Sequence, residues 1–119
     1  MTKLIATEEQ EQISLMSWAM LHPICKDYLI HIPNEGKRTQ YYGRKLKLLG
    51  LKPGVSDLFL AYPTPTFSGL WLEMKRKSKR CIITDTQQQW IHKMNAVGYA
   101  AYVAHGWEEA KNIIEDYLK

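Results

Sequence analysis

The sequence predicts an α/β fold, in which helices pack against a central β-sheet. Helical and extended patterns alternate along the 119 residues, and this order is typical of a sheet with helices packed on it. The length suits one hydrophobic core and is short for two, so we expect a single domain spanning residues 1–119. Hydrophobic residues make up 45% and charged residues 24%, as in ordinary globular proteins.

The first half of the chain is expected to contain one clear helix. Thr7 can cap it, acidic residues occupy its first turn, and apolar residues recur at helical spacing before Pro23 ends it. The elements predicted here are, in order, a helix over 7–21, an extended stretch over 28–32, a turn over 33–36 and a basic segment over 37–49 that is helical or irregular.

The second half is expected to contain a β-hairpin, then a helix, a strand and a helix. Thr84 and Gln87 have capping-box spacing at the start of the middle helix, and Gly98 follows its end. A turn-rich loop joins the first two strands, which predicts the hairpin. The predicted ranges are strand 56–62, strand 70–77, helix 84–97, strand 99–104 and helix 107–118.

Positive charge is concentrated in the middle of the chain. Residues 36–80 carry eleven Lys and Arg and only two acids, Asp57 and Glu73, so this segment has a net charge of +9 while the rest sums to −5. Such a segment suits a polyanion, most commonly nucleic acid, although a solvated basic surface without a partner has the same composition. The residues predicted to contact nucleic acid are Lys37, Arg38, Arg44, Lys45, Lys47, Arg76, Lys77, Lys79 and Arg80.

Strand alternation brings the two acids towards a lysine. Alternate residues of a strand share a face, so Glu73 and Lys75 lie side by side, about 6.5 to 7 Å apart. If the two strands pair as a hairpin, Asp57 at the base of the first strand meets them. Taken singly, Asp57 is more often a turn residue, and a Glu-x-Lys pair is more often a surface ion pair. Together, in a region otherwise empty of acids, these residues make those structural interpretations weaker.

This group of residues suits a magnesium or manganese site. Mg²⁺ prefers oxygen ligands and keeps several waters, so Asp57, Glu73 and the backbone carbonyl of Met74 are sufficient protein ligands. A bound ion lowers the pKa of a water and neutralises phosphate charge, and Lys75 could hold that water or stabilise the developing charge. Gln87, aimed inward from its helix, could orient Lys75 or a water; its alternative role is the capping box alone.

Five motifs resemble the VRR-NUC family, a branch of the PD-(D/E)xK nuclease superfamily. The motifs are Gly54-Val-Ser-Asp57, Gly69-Leu-Trp-Leu-Glu73-Met-Lys75, Thr84-x-x-Gln87-x-x-Trp90, Gly98-Tyr and Gly106-Trp-Glu-Glu-Ala. The resemblance covers nearly the whole chain and is nearest to small stand-alone phage and bacterial members. It departs from the family pattern at Ser56, where the superfamily name has a proline, and at Glu35, where a small residue is expected.

The resemblance implies a restriction-endonuclease-like core, with a mixed central β-sheet flanked by helices. It also implies a metal-dependent DNA endonuclease in which Asp57 and Glu73 are metal ligands, Lys75 is catalytic and Gln87 supports it. An acidic residue from the first helix should lie near the metal. Glu11 matches best, and Glu8 is the alternative.

Stand-alone members of the family look like Holliday-junction resolvases in fold and tend to be homodimers. The resemblance therefore implies structured DNA as substrate, such as Holliday junctions or flaps, and a homodimer. Two other interpretations remain open from sequence: a non-catalytic nucleic-acid-binding module that retains the nuclease fold, and a basic scaffold protein without a DNA role.

The sequence also predicts a cytoplasmic location without membrane contact. No apolar run approaches the ~20 residues needed to cross a bilayer, and the N-terminal region turns acidic where a secretory signal would be apolar. Cys25 and Cys81 stand apart without metal-binding spacing, so we expect reduced thiols.

Overall fold

The chain alternates helices and strands in a computed structural model that describes residues 4–33, 40–78 and 81–119. The elements are α1 (Glu8–Ala19), α2 (Cys25–Tyr28), β1 (Leu29–His31), α3 (Gln40–Leu48), β2 (Leu58–Leu60), β3 (Leu70–Lys75), α4 (Asp85–Ala96), β4 (Ala100–His105) and α5 (Trp107–Tyr117). The strands form one four-stranded sheet in the order β1-β2-β3-β4. The first two pairs are antiparallel and β3 and β4 are parallel, so the prediction of a mixed α/β sheet is confirmed.

The predicted hairpin is present, although its first strand is shorter than expected. β2 and β3 pair antiparallel with Leu58 opposite Leu72, and only three residues of β2 join the ladder. The extended stretch expected from Tyr28 begins one residue later, after the single helical turn of α2. The turn expected at 33–36 extends beyond residue 33 into the part that the structure leaves undescribed, and the basic segment is helical over its described residues.

The two faces of the sheet pack against different helices. One face packs against α1 and α5, and its buried side chains are Leu58, Leu60, Leu70, Leu72 and Met74 from the sheet with Leu15, Ala19, Ala110 and Ile114 from the helices. The other face packs against α4 through aromatic rings: the centroids of Phe59 and Trp71 are 4.3 Å apart, and those of Trp71 and Trp90 are 5.2 Å apart. Strand alternation thus separates an aliphatic core from a half-buried aromatic cluster.

A close approach of the chain joins the loop before β2 to α4. Gly54 has a positive φ of 83°, and a Cβ placed on it would lie 2.2 Å from the carbonyl oxygen of Thr86. Only glycine permits that approach. The loop that leads to Asp57 is therefore held against the first turn of the helix that carries Gln87. No helix in the described ranges is long and apolar enough to cross a membrane.

Candidate functional site

Asp57 lies directly before β2 and is held by hydrogen bonds from β3 and from the residue that follows β1. Its Oδ2 accepts a hydrogen bond from the Met74 N–H of β3 at 2.8 Å, and its carbonyl oxygen accepts one from the Ile32 N–H at 2.8 Å. Extending the β2–β3 register by one pair places Asp57 opposite Glu73. The side chain is 9% exposed, and its second oxygen, Oδ1, has no hydrogen bond within the described residues.

Glu73 and Lys75 share one face of β3, as strand alternation predicted. Both are buried, with 1% of Glu73 and 7% of Lys75 exposed. The ammonium nitrogen of Lys75 lies 3.7 Å from the Oε1 of Glu8 on α1, whose side chain is half-exposed. The end of β3 therefore brings Glu73 and Lys75 together with Asp57, and an acid of the first helix joins them.

An open cleft of about 540 Å³ lies between α1 and the Asp57 end of the sheet. Asp57, Met74 and His31 line it on the sheet side, and Glu8 and Gln12 line it on α1. A smaller cavity of about 310 Å³ contains Lys75 and also reaches Glu8. Glu8 thus borders both openings, Asp57 lines the larger one and Lys75 lines the smaller one.

The side chain of Glu11, on α1, contacts the start of α5. Glu11 is 3% exposed, and its Oε1 accepts a hydrogen bond from the backbone N–H of Trp107 at 3.2 Å. The N-cap residue of α5, Gly106, has no side chain to do this, so Glu11 caps the helix from a distant part of the chain. Of the two first-helix acids considered for the site, Glu8 therefore lies beside Lys75, and Glu11 caps α5.

The structure shows Gln87 in a complete capping box. Its Oε1 accepts a hydrogen bond from the Thr84 N–H at 3.0 Å, and the Thr84 Oγ1 accepts one from the Gln87 N–H at 3.2 Å. The side chain is 8% exposed, and no hydrogen bond to Lys75 is formed within the described ranges. The capping box leaves the amide nitrogen of Gln87 unused.

Among solved structures, a chain described as "VRR_NUC domain protein" has the same fold. The two superpose with a TM-score of 0.84 at 27% sequence identity, and the match covers 97% of this chain and 90% of that one. The fold is that of a VRR-NUC domain. No protein-family model matches the sequence, and no curated protein matches it. The match confirms the predicted restriction-endonuclease-like core and a nuclease-type domain.

The donor atoms around Asp57 fit a hard divalent cation. Met74 donates its N–H towards Asp57, and because the N–H and C=O of one strand residue point the same way, its carbonyl faces the same side. No group of three or more His, Cys, Asp or Glu side chains is placed to share an ion among the described residues. Ligation would thus rest on two carboxylates, one carbonyl and water, which suits Mg²⁺.

The basic residues predicted to contact nucleic acid are exposed wherever the structure describes them. Arg44, Lys45 and Lys47 lie on α3, and Arg76 and Lys77 follow β3. The others, Lys37, Arg38, Lys79 and Arg80, lie outside the described residues, as does Glu35.

One of these basic residues, Lys77, is already ion-paired. Its ammonium nitrogen lies 2.8 Å from the Oε2 of Glu108 on α5. This hydrogen bond raises the pKa of Lys77 and lowers the pKa of Glu108. A DNA phosphate would therefore have to compete with Glu108 for Lys77.

Sequence reasoning did not single out His31, which lines the cleft beside Asp57. Its Nδ1 lies 2.9 Å from the carbonyl oxygen of Asp57 and 3.0 Å from the Nε2 of Gln12. The available indication was positional: His31 ends the extended stretch that pairs with β2. Nothing local distinguishes it from an exposed strand residue, because its partners come from 19 and 26 residues away.

Proposed function

We propose that this VRR-NUC domain is a metal-dependent DNA endonuclease that hydrolyses phosphodiester bonds. Mg²⁺ or Mn²⁺ would be held by Asp57, Glu73 and the carbonyl of Met74. The observation that carries the proposal is the Asp57 carboxylate at the cleft: Oδ2 is occupied by the Met74 N–H, while Oδ1 has no hydrogen bond in the described chain. Glu73 lies at the facing register position.

The bound ion and the neighbouring side chains would have separate roles in hydrolysis. The ion, when bound, lowers the pKa of a coordinated water and neutralises phosphate charge. Lys75 positions the attacking water and stabilises negative charge that develops on the phosphate. Glu8 holds the ammonium of Lys75 from α1 at 3.7 Å, and the amide nitrogen of Gln87 is available to orient Lys75 or a water.

The substrate proposed is DNA, and branched DNA such as Holliday junctions or flaps in particular. The exposed cations of α3 and those after β3 support a path for the phosphate backbone, since Lys and Arg contacts to phosphates supply most sequence-independent affinity. A homodimer, which would place two sites across a branched duplex, is proposed on family resemblance. A cytoplasmic location is proposed from the two isolated cysteines and the acidic N-terminal region. Light scattering on the purified protein tests the dimer.

A metal-omission experiment on a panel of DNA structures tests the activity. Purified protein is incubated with labelled duplex, flap and Holliday-junction DNA in EDTA, Mg²⁺ or Mn²⁺. We expect cleavage only with metal, abolished in Glu73→Gln while DNA binding is kept. Glu115→Gln, which alters an exposed acid paired with Lys111 on α5, is the matched control and should cut normally. A wild-type protein that cuts no structure with either metal would contradict the proposal.

The second candidate is a non-catalytic nucleic-acid-binding module with the same fold. It is favoured by one observation: no third His, Cys, Asp or Glu side chain joins the two carboxylates in a potential metal group among the described residues. Such a module would bind DNA equally well in EDTA, and Asp57→Ala would leave binding unchanged. Affinity should fall with salt for both candidates, so salt dependence does not separate them.

A further inference from the structure

We propose that His31 is a positioning residue of the metal site, holding the main chain of Asp57 through its Nδ1–H. The inference rests on the proposed function, since it concerns a residue that would orient a metal ligand. His31 is the last residue of β1, and Ile32 follows it with a backbone hydrogen bond to the carbonyl of Asp57. The strand end thus reaches the same carbonyl oxygen twice.

The contacts of Nδ1 determine which ring nitrogen carries the proton. The Asp57 carbonyl oxygen can only accept a hydrogen bond, so the 2.9 Å contact requires a hydrogen on Nδ1. The Nε2 of Gln12 lies 3.0 Å from Nδ1. A half-turn of the Gln12 amide exchanges its nitrogen and oxygen, and only the oxygen can accept a hydrogen bond from a protonated Nδ1. The arrangement that satisfies both neighbours is therefore an Nδ1–H shared between two oxygens.

This hydrogen bond adds a second contact to the main chain of Asp57, at the residue just before β2. Asp57 precedes β2, so the strand ladder does not hold it on both sides. Its carbonyl is fixed by Ile32 and His31, and its Oδ2 by the Met74 N–H. These contacts fix the main chain and one carboxylate oxygen of Asp57, which lines the cleft. Residues that orient metal ligands in this way commonly contribute about 10- to 100-fold to metal affinity.

Two conservative substitutions separate the two ring nitrogens. The side-chain amide nitrogen of asparagine reaches the position of Nδ1, whereas that of glutamine reaches the position of Nε2. We therefore expect His31→Asn to keep near wild-type Mn²⁺ affinity in calorimetric titration, while His31→Gln and His31→Ala lose about 10-fold. His92→Ala, on the exposed side of α4, is the control and should bind like wild type.

Catalysis and spectroscopy give independent readouts. At saturating Mn²⁺ the DNA concentration at half-maximal rate should stay unchanged in His31→Ala, because His31 acts through the metal ligand and not on DNA. Nitrogen NMR of the neutral His31 ring in the metal-free wild type should show the hydrogen on Nδ1. A hydrogen on Nε2, or metal affinity retained in His31→Gln but lost in His31→Asn, would overturn the proposal.

The outcome for Asp57→Asn distinguishes this inference from the proposed function. If Asp57→Asn loses Mn²⁺ binding and a folded His31→Ala does not, only the role of His31 is wrong. If Asp57→Asn also binds Mn²⁺ like wild type, or wild type binds none, the metal site itself is wrong. Thermal unfolding of each variant checks the fold, and His31 is exposed, so its substitutions should leave the unfolding temperature within a few degrees.

Discussion

Removing Glu11 should destabilise the protein by removing a hydrogen bond between α1 and α5. Glu11 is buried, and its Oε1 is the acceptor for the first N–H of α5 at 3.2 Å. Gly106, the N-cap residue, supplies no side-chain acceptor of its own. In Glu11→Ala the Trp107 N–H loses its partner, whereas in Glu11→Gln the amide oxygen can still accept the hydrogen bond.

The magnitude follows from the cap and from the buried side chain. Loss of an N-cap acceptor costs about 1 kcal/mol, and one buried methylene adds about 0.8 kcal/mol, so we expect Glu11→Ala to lower the free energy of unfolding by about 2 kcal/mol. Glu11→Gln loses only the charge near the helix N-terminus, about 0.3 to 1 kcal/mol. In a chain of this size, each kcal/mol lost from the free energy of unfolding lowers the unfolding temperature by about 4 °C.

Urea unfolding followed by circular dichroism measures both variants. The expected order of stability is wild type, then Glu11→Gln, then Glu11→Ala, with the slope against urea concentration unchanged. Equal stability of Glu11→Ala and wild type would refute the capping role. A folded Glu11→Gln that loses Mn²⁺ binding would place Glu11 in the metal site, as the family resemblance implies, and would leave Glu8 as a partner of Lys75 alone.

Three further predictions concern charge, a thiol and a close backbone contact. Glu108→Gln frees Lys77 and should tighten DNA binding at low salt, with a log–log salt slope steeper by up to about one. Burial raises the pKa of Cys25 from 9.0 to about 11, so at pH 8 a thiolate-specific reagent should label Cys81 first. The folded state keeps the Cys25 proton more tightly than the unfolded state, so this contribution to the free energy of unfolding is complete below pH 9 and is lost as pH rises towards 11. Gly54→Ala should destabilise the protein by more than about 1 kcal/mol, because Gly54 has a positive φ and an added Cβ would clash with the Thr86 carbonyl oxygen.

Each of these predictions has a control or a contrary result. For the salt slope the control is Glu115→Gln, which removes an acid outside the basic region and should change nothing. Equal labelling rates of the two thiols in the folded protein would contradict the burial of Cys25. For the glycine, Gly43→Ala in α3 meets open space and should stabilise by about 0.5 to 1 kcal/mol, so a similar loss in both variants would contradict the steric argument.

Much of the fold could be predicted because it depends on local rules. The capping residues Thr7 and Thr84 start α1 and α4 in the structure as spacing indicated. The hairpin followed from the turn-rich loop. The short turn α2 was not predicted, and β2 is shorter than the pattern indicated, because strand length depends on how many residues a partner strand can pair, and β1 offers only three.

The sequence by itself determined that Glu73 and Lys75 share a face of one strand, since alternation is a property of the backbone. It also singled out Asp57 and Glu73 as the two acids of a basic segment. Only the tertiary structure decided which first-helix acid approaches Lys75. Glu8 and Glu11 lie on the same helix with similar chemistry, and their roles differ because α5 places an N–H beside Glu11 alone. His31 likewise gained its partners through strand pairing, a contact between distant segments that no local pattern encodes.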